Sequence, residues 1–284
     1  MPEYFTVWPA NALEELAASL TVSLDRYGLY ADLGVANASQ RFRWLEPGEF
    51  LMGSPYDELG RYLDETQHHV TLTQGFWLAD TAVTQAFWQA VMGDNPSRFK
   101  DNPDNPVEQV SWQDAQAFIH KLNGLFPHLQ ACLPSEAQWE YACRAGTTTA
   151  FSFGSNITTE QVNYNGEIPY ANGEKEIYRG KTVPVKSLPP NPWGLYEMHG
   201  NVREWCADAW QEPMTAEPVI DPLSTEGDAV ALRVVRGGSW SLNGGFVRSA
   251  FRLRGRPVNR NYGIGLRLAL GHTELRSGGG GTAG

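Results

Sequence analysis

From residue 147 to residue 192 the chain shows neither helical nor alternating apolar spacing. The stretch is rich in Gly, Asn and Pro. An irregular segment of that length signals a functional role, or ions that hold the backbone in place of ladders. Composition points the same way. The 284 residues include 29 Gly, 18 Pro and 10 Trp, which favours many turns, short elements and aromatic packing over a helical bundle.

The flanking segments carry clearer signals. Leu13, Leu16, Leu20 and Leu24 in NALEELAASLTVSLDR recur at helical spacing, which predicts a short helix over residues 11–26. RYGLYADLGV and QRFRWLEPGEFLMGS alternate as strands, with a turn at EPG, and HHVTLTQGFWLADTAVT reads as a further strand. Three helices follow: TQAFWQAVMG with Thr84 as N-cap, SWQDAQAFIHKLNGLF opened by Ser111 and Asp114, and LPSEAQWEYACRAG opened by Ser135. Beyond residue 192, NVREWCADAW, ALRVVRGGSW, FVRSAFRLR and YGIGLRLAL read as short strands, and RSGGGGTAG as a flexible tail.

Several classes of protein are disfavoured. No stretch approaches the roughly 20 apolar residues of a membrane helix. The N-terminus has no basic region before an apolar run, so no signal peptide is expected and a cytoplasmic location is the default. Three cysteines, Cys132, Cys143 and Cys206, are too few for a disulfide framework. The formal charge of -10 opposes wholesale binding to nucleic acid or acidic membranes. Against that charge, residues 233–270 hold eight arginines and no acid. The carboxylates Glu136, Glu140, Asp80, Asp208 and Asp221 read as capping, packing or isolated groups.

FLMGSP, LPSEAQWEYACRAG, NPWGLYEMHGNVREW, RVVRGGSW and GIGLRLA occur in this order. Together they resemble the formylglycine-generating enzyme (sulfatase-modifying factor) family over about residues 41–270. The resemblance implies an α+β chain with a C-type-lectin fold: little regular structure, two or three helices and a small twisted antiparallel sheet. Residues 1–40 then form an N-terminal helical or strand extension, and 271–284 a tail.

In register with RGGSW, the two cysteines of the family's enzymes fall on Leu242 and Val247, which offer no metal-binding lone pair. His68, His69, His120, His128, His199 and His272 form no HxH or HxxxH set with a carboxylate. An active copper-thiolate or iron enzyme is therefore not expected, and no organic cofactor is implied. By resemblance, Glu197, the Gly200 and Val202 carbonyls and Glu204 match one structural Ca²⁺ site. Asn163 and the Tyr164 carbonyl match the first half of a second, whose partner near Glu176 is poorly registered. Oxygen donors of these kinds suit Ca²⁺.

The C-terminal run also resembles the variable region of diversity-generating retroelement proteins. Trp240, Arg248, Arg252, Pro257, Asn259, Arg260, Ile264, Gly265 and Arg267 fall in register with that pattern. Gly244, Gly245, Val247 and Leu266 depart from it. Leu242, Asn243, Phe246, Phe251, Leu253, Arg254, Gly255, Arg256, Val258, Tyr262 and Gly263 occupy the free positions. Mutated AAC codons do not give Lys, Glu, Gln, Met or Trp, and none of these occurs from 241 to 263. The resemblance implies a non-catalytic binding protein that displays diversified residues to a protein or cell-surface glycan. Two alternatives stand beside it: a metal-dependent oxidoreductase with an altered site, and a structural assembly module. Nucleic acid is disfavoured, because the run has no Lys-rich tract or recognised module.

Overall fold

The structure, a computed structural model, describes residues 20–212, 216–225 and 230–271. It opens with a meander of β1 (Leu20–Asp25), β2 (Gly28–Val35) and β3 (Ala38–Leu45). The helix expected over 11–26 is therefore corrected from Leu20 onward; its first part lies outside the described residues. Tertiary pairing overrides the leucine spacing. Leu20 pairs with Leu33 and Asp25 with Gly28 across an antiparallel ladder, and the Asp25 carboxylate accepts from Tyr27 N and from Arg43. Leu20 is buried while Leu24 is 73% exposed, so the two do not share a face.

The strand expected over HHVTLTQGFWLADTAVT divides into β5 (His68–Leu72) and β6 (Phe76–Ala79). These belong to different sheets. Gly75 marks the division. A Cβ there would lie 2.3 Å from the Trp44 ring, so only glycine lets the chain pass. β6 extends the meander, and β13 (Ala269–Leu270) and β7 (Ala131–Cys132) complete a six-stranded antiparallel sheet. β4 (Gly48–Met52), β5 and β9 (Val219–Ile220) form a second sheet, with β9 parallel to β5. The third contains β11 (Leu253–Gly255), β10 (Arg233–Arg236), β8 (Arg203–Ala209) and β12 (Ile264–Leu266), with β12 parallel to β8.

Three helices pack on these sheets: α1 (Gln85–Met92), α2 (Trp112–Leu125) and α3 (Glu136–Arg144). Thr84 accepts from Phe87 N, and Ser111 with Asp114 and Ser135 with Gln138 form reciprocal capping boxes. Phe87, Trp88, Phe118 and Leu122 meet Phe42, Trp77, Trp205 and Leu266 in the main core. Trp139, Ala142 and Cys143 of α3 meet Val70, Cys206 and Val234 in a second.

The irregular stretch is held by side-chain amides. Asn163 donates to Lys181 O and Asn201 Oδ1, and Asn201 Oδ1 also accepts from Val183 N. Asn191 donates to Ala142 O and accepts from Trp193 N and Leu195 N. Phe151, Val162, Tyr164 and Tyr170 pack with Val247 beneath it. No helix among the described residues is long and apolar enough to cross a membrane.

Candidate ligand-binding face

FVRSAFRLR does not form the expected strand. A 3-10 turn covers Gly244–Val247, and only Leu253–Gly255 pairs, as β11. Asn243 caps the turn by accepting from Gly245 N. The preceding RGG bend fits tightly beneath it. Gly238 has φ +70°, and a Cβ there would meet the Phe246 carbonyl at 2.3 Å.

Four of the eight arginines are buried anchors. Arg236 pairs with Glu136 and Glu140 and donates to the Ser249 and Ala250 carbonyls. Arg248 reaches Glu58, Glu65 and the Gly60 and Gly245 carbonyls. Arg252 grips Glu136 with both nitrogens of one edge and donates to Asp64 O. Arg267 holds Glu204 and donates to the Ala79 and Tyr196 carbonyls. At the surface, Arg260 grips Asp114 at 2.7 Å and holds its carboxyl down at about 2. Arg233 lies over the Trp112 ring and donates to Ala207 O. Arg254 pairs with Glu212 and stacks over Trp210. Only the exposed Arg256 guanidinium has no partner among the described residues. The run is a set of fasteners, not a basic patch.

The variable-like positions fall into three groups. Phe246 is half-buried and stacks on Phe251 at 4.9 Å, and both rings approach Tyr62. Phe251 itself is buried, as is Gly263, so neither is displayed. Leu253, Arg254 and Gly255 line a cleft of about 200 Å³ with Arg203, Asn259 and Asn261. Gly255 lies against the Trp205 indole, where a Cβ would come within 2.7 Å. Arg256 and Val258 project beside this cleft in sequence and are exposed. The third group centres on Tyr262, 37% exposed, which packs with Trp240 and Phe99 beneath the Arg98 guanidinium. Tyr178, 38% exposed, stacks on Trp240. Leu242 is half-buried, and its carbonyl accepts from Asn165 N.

Phe99, Arg98 and Tyr178 were missed by sequence reasoning. They lie far from the run in sequence and are brought to it only by the loops. Tyr62 was missed for the same reason. The signal available was four large apolar residues within YDELGRYL, Tyr56, Leu59, Tyr62 and Leu63.

No thiol reaches this face. Val247 is fully buried, and its carbonyl contacts His199 Nδ1 at 2.7 Å. Cys143 Sγ lies 3.7 Å from His199 Nε2, and both residues are buried. Burial pushes that thiol up to about 12 and the imidazole down to about 4, so both are neutral at pH 7. Cys206 is likewise buried and pushed well above the usual thiol range. Cys143 and Cys206 form no disulfide, and no group of three or more His, Cys, Asp or Glu is arranged to hold a metal among the described residues.

The calcium set divides. Glu204 accepts from Arg267 and from Trp139 Nε1 at 2.7 Å, so both oxygens are engaged. Glu197 is buried and neither oxygen makes a well-aligned hydrogen bond; the Lys186 and Leu188 backbone N–H groups lie close enough to favour its charge, but burial outweighs them and pushes its carboxyl up to about 8. Asn163 Oδ1 and the Tyr164 hydroxyl are also buried without partners. Gly200 pairs with Asn163 through a backbone bridge, and Val202 is buried beside it in sequence. Glu176 turns away, accepting from Thr159 N.

Three short helices on modest sheets, with a long amide-knotted segment and an arginine-fastened C-terminal run, define an α+β domain of the formylglycine-generating-enzyme type. The family described as "Sulfatase-modifying factor enzyme 1-like domain" matches residues 35–271, and the chain belongs to it. The formylglycine-generating enzyme of Bos taurus is 33% identical over 205 residues, covering 69% of this chain. The chain spans about half of that relative's length, 51%. Among solved structures, Treponema denticola variable protein 1 superposes with a TM-score of 0.72 at 27% identity, covering 85% of this chain and 98% of that one. PvdO from Pseudomonas aeruginosa gives 0.71 at 27% identity, covering 89% and 98%.

Proposed function

We propose that this chain is a non-catalytic ligand-binding protein of the diversity-generating retroelement kind. The observation that carries the reading is the division within residues 236–267. Arg236, Arg248, Arg252 and Arg267 are buried and spent on the fold, while Arg254, Arg256, Val258 and Tyr262 stand at the surface. Such a division lets the exposed set change without touching the core. The likeness to Treponema denticola variable protein 1 supports it, as do Leu242 and Val247 at the positions where the enzymes would need sulfur. The ligand class is a protein or cell-surface glycan. Aromatic rings and guanidinium groups give large contact area with a polar handle.

The test is to sequence sibling genes and the neighbouring DNA. A reverse transcriptase and a near-copy repeat of codons 240–267, with differences confined to adenines, are expected. Siblings that vary at Arg248 or Arg252, or not at all, would sink the reading. A metal-dependent oxidoreductase would instead bring a redox metal through purification, which elemental analysis detects. A structural Ca²⁺ belongs to the same proposal. One ion would take Glu197 and the Gly200 and Val202 carbonyls, with the engaged Glu204 as its weakest donor, and Asn163 with the Tyr164 carbonyl would begin a second site.

A further inference from the structure

The loop Pro55–Asp64 lies outside the variable-like run, yet it exposes more large apolar surface than any segment within that run. Tyr56 is 93% exposed and Leu63 87%, with Leu59 and Tyr62 also well exposed. Together they present on the order of 500 Å² of apolar and aromatic area, the size of the largest patch a monomer usually tolerates. A slack loop would fold such side chains inward, but this one is fastened at many points. Arg248 holds Glu58 and the Gly60 carbonyl, and Arg252 holds the Asp64 carbonyl. Tyr170 donates to Leu59 O, and Ser54 N and Oγ both bond Glu65. The two arginines are frame positions of the C-terminal run, so the run that displays Phe246 also fixes this loop beside it. Tyr62 meets Phe246 and Phe251 directly.

We propose that the loop is a constant half of the ligand face, and that with Phe246 it receives the apolar patch of a protein partner ringed by basic residues. This rests on the ligand-binding reading above. A protein patch fits better than a glycan because the exposed loop side chains are mainly apolar. The basic ring follows from charge. Asp57 and Asp64 form no ion pair among the described residues, Arg61 is the loop's lone cation, and the chain carries -10 overall. The loop's side of the contact is pre-ordered, so little of the binding energy is lost in fixing it.

A phage-displayed random peptide library panned against the full chain tests the inference. Selected peptides are expected to combine aromatic or aliphatic residues with Lys or Arg. Their binding should weaken at least about tenfold in the double variant Tyr56→Ser/Leu63→Ser, as for loss of interface anchors. These side chains are exposed, so the variant should melt with the wild type, which separates lost contact from lost fold. Peptides that ignore this variant but depend on Arg254 and Tyr262 would overturn the loop's role while leaving the ligand-binding reading standing. Peptides sensitive to neither pair would remove both. Acidic peptides, or no enrichment over a control protein, would also overturn it.

Discussion

Replacing Arg248 by Met removes a guanidinium that bonds Glu58, Glu65 and the Gly60 and Gly245 carbonyls at 2.5–3.0 Å. Methionine fills much of the volume, so the deficit is electrostatic. Glu65 is fully buried and Glu58 nearly so, and both would lose their charge partner. Breaking a buried pair in this way costs about 3–5 kcal/mol. For a domain of this size that corresponds to a fall in Tm of roughly 6–20 °C. Burial already raises the Glu58 carboxyl with the arginine present. Without it, the Glu58 carboxyl moves further above its unfolded value of about 4.3, so the folded variant keeps a proton that the unfolded chain releases. The deficit should therefore widen as pH rises from 5 toward 8. Urea unfolding followed by tryptophan fluorescence at both pH values measures it. Arg256→Met, at an exposed position without a partner, should unfold with the wild type. Adding Glu65→Gln to Arg248→Met should recover part of the loss. The reasoning fails if Arg248→Met lies within about 1 kcal/mol of wild type, the range of an exposed pair, or if Glu65→Gln deepens its loss.

Native protein treated with a thiol reagent should label at Cys132 at most, because Cys143 and Cys206 are buried neutral thiols; rapid modification of either refutes that. His199 is held neutral to about 4 against about 6.5 when unfolded, so its contribution is complete above 6.5 and lost as pH falls toward 4. His199→Gln should flatten the stability profile in that window, and an unchanged slope counts against the assignment. Glu197 works with the opposite sign. Its carboxyl titrates at about 8 when folded and near 4.3 when unfolded, so calcium-free protein should lose stability as pH rises between those values and level off above. Adding CaCl₂ should raise the Tm more at pH 8 than at pH 6 and leave Glu197→Gln unmoved; a Tm indifferent to calcium would remove the ion from the proposal.

The capped helices were legible because their signals are local: Thr84, Ser111 with Asp114, and Ser135 are read within four residues of sequence. The arginine division was legible through its spacing and the pattern it resembles. The leucine spacing of 11–26 misled because edge pairing with β2 outweighs a weak helical preference. HHVTLTQGFWLADTAVT misled because nothing short of the Trp44 ring shows that Gly75 must turn the chain into another sheet. The engagement of Glu204 was not legible, because its partner Arg267 lies 63 residues away. The Tyr178–Trp240–Tyr262 cluster was half visible, since only two of its members lie in the C-terminal run.

β12 and β13 lie almost at the end of the described chain, yet β12 completes the sheet of β8 and β13 sits between β6 and β7. Arg267, between them, ties β8 to the end of β6. The segment that closes two sheets is therefore made after every strand it joins, and its contacts are long-range and slow to form. A chain cut short before residue 264 would lack both closing strands. A copying error that breaks the frame of the run would have the same effect, whereas a change at an exposed position would not. Completion of folding thus tolerates altered surfaces and rejects altered fastenings.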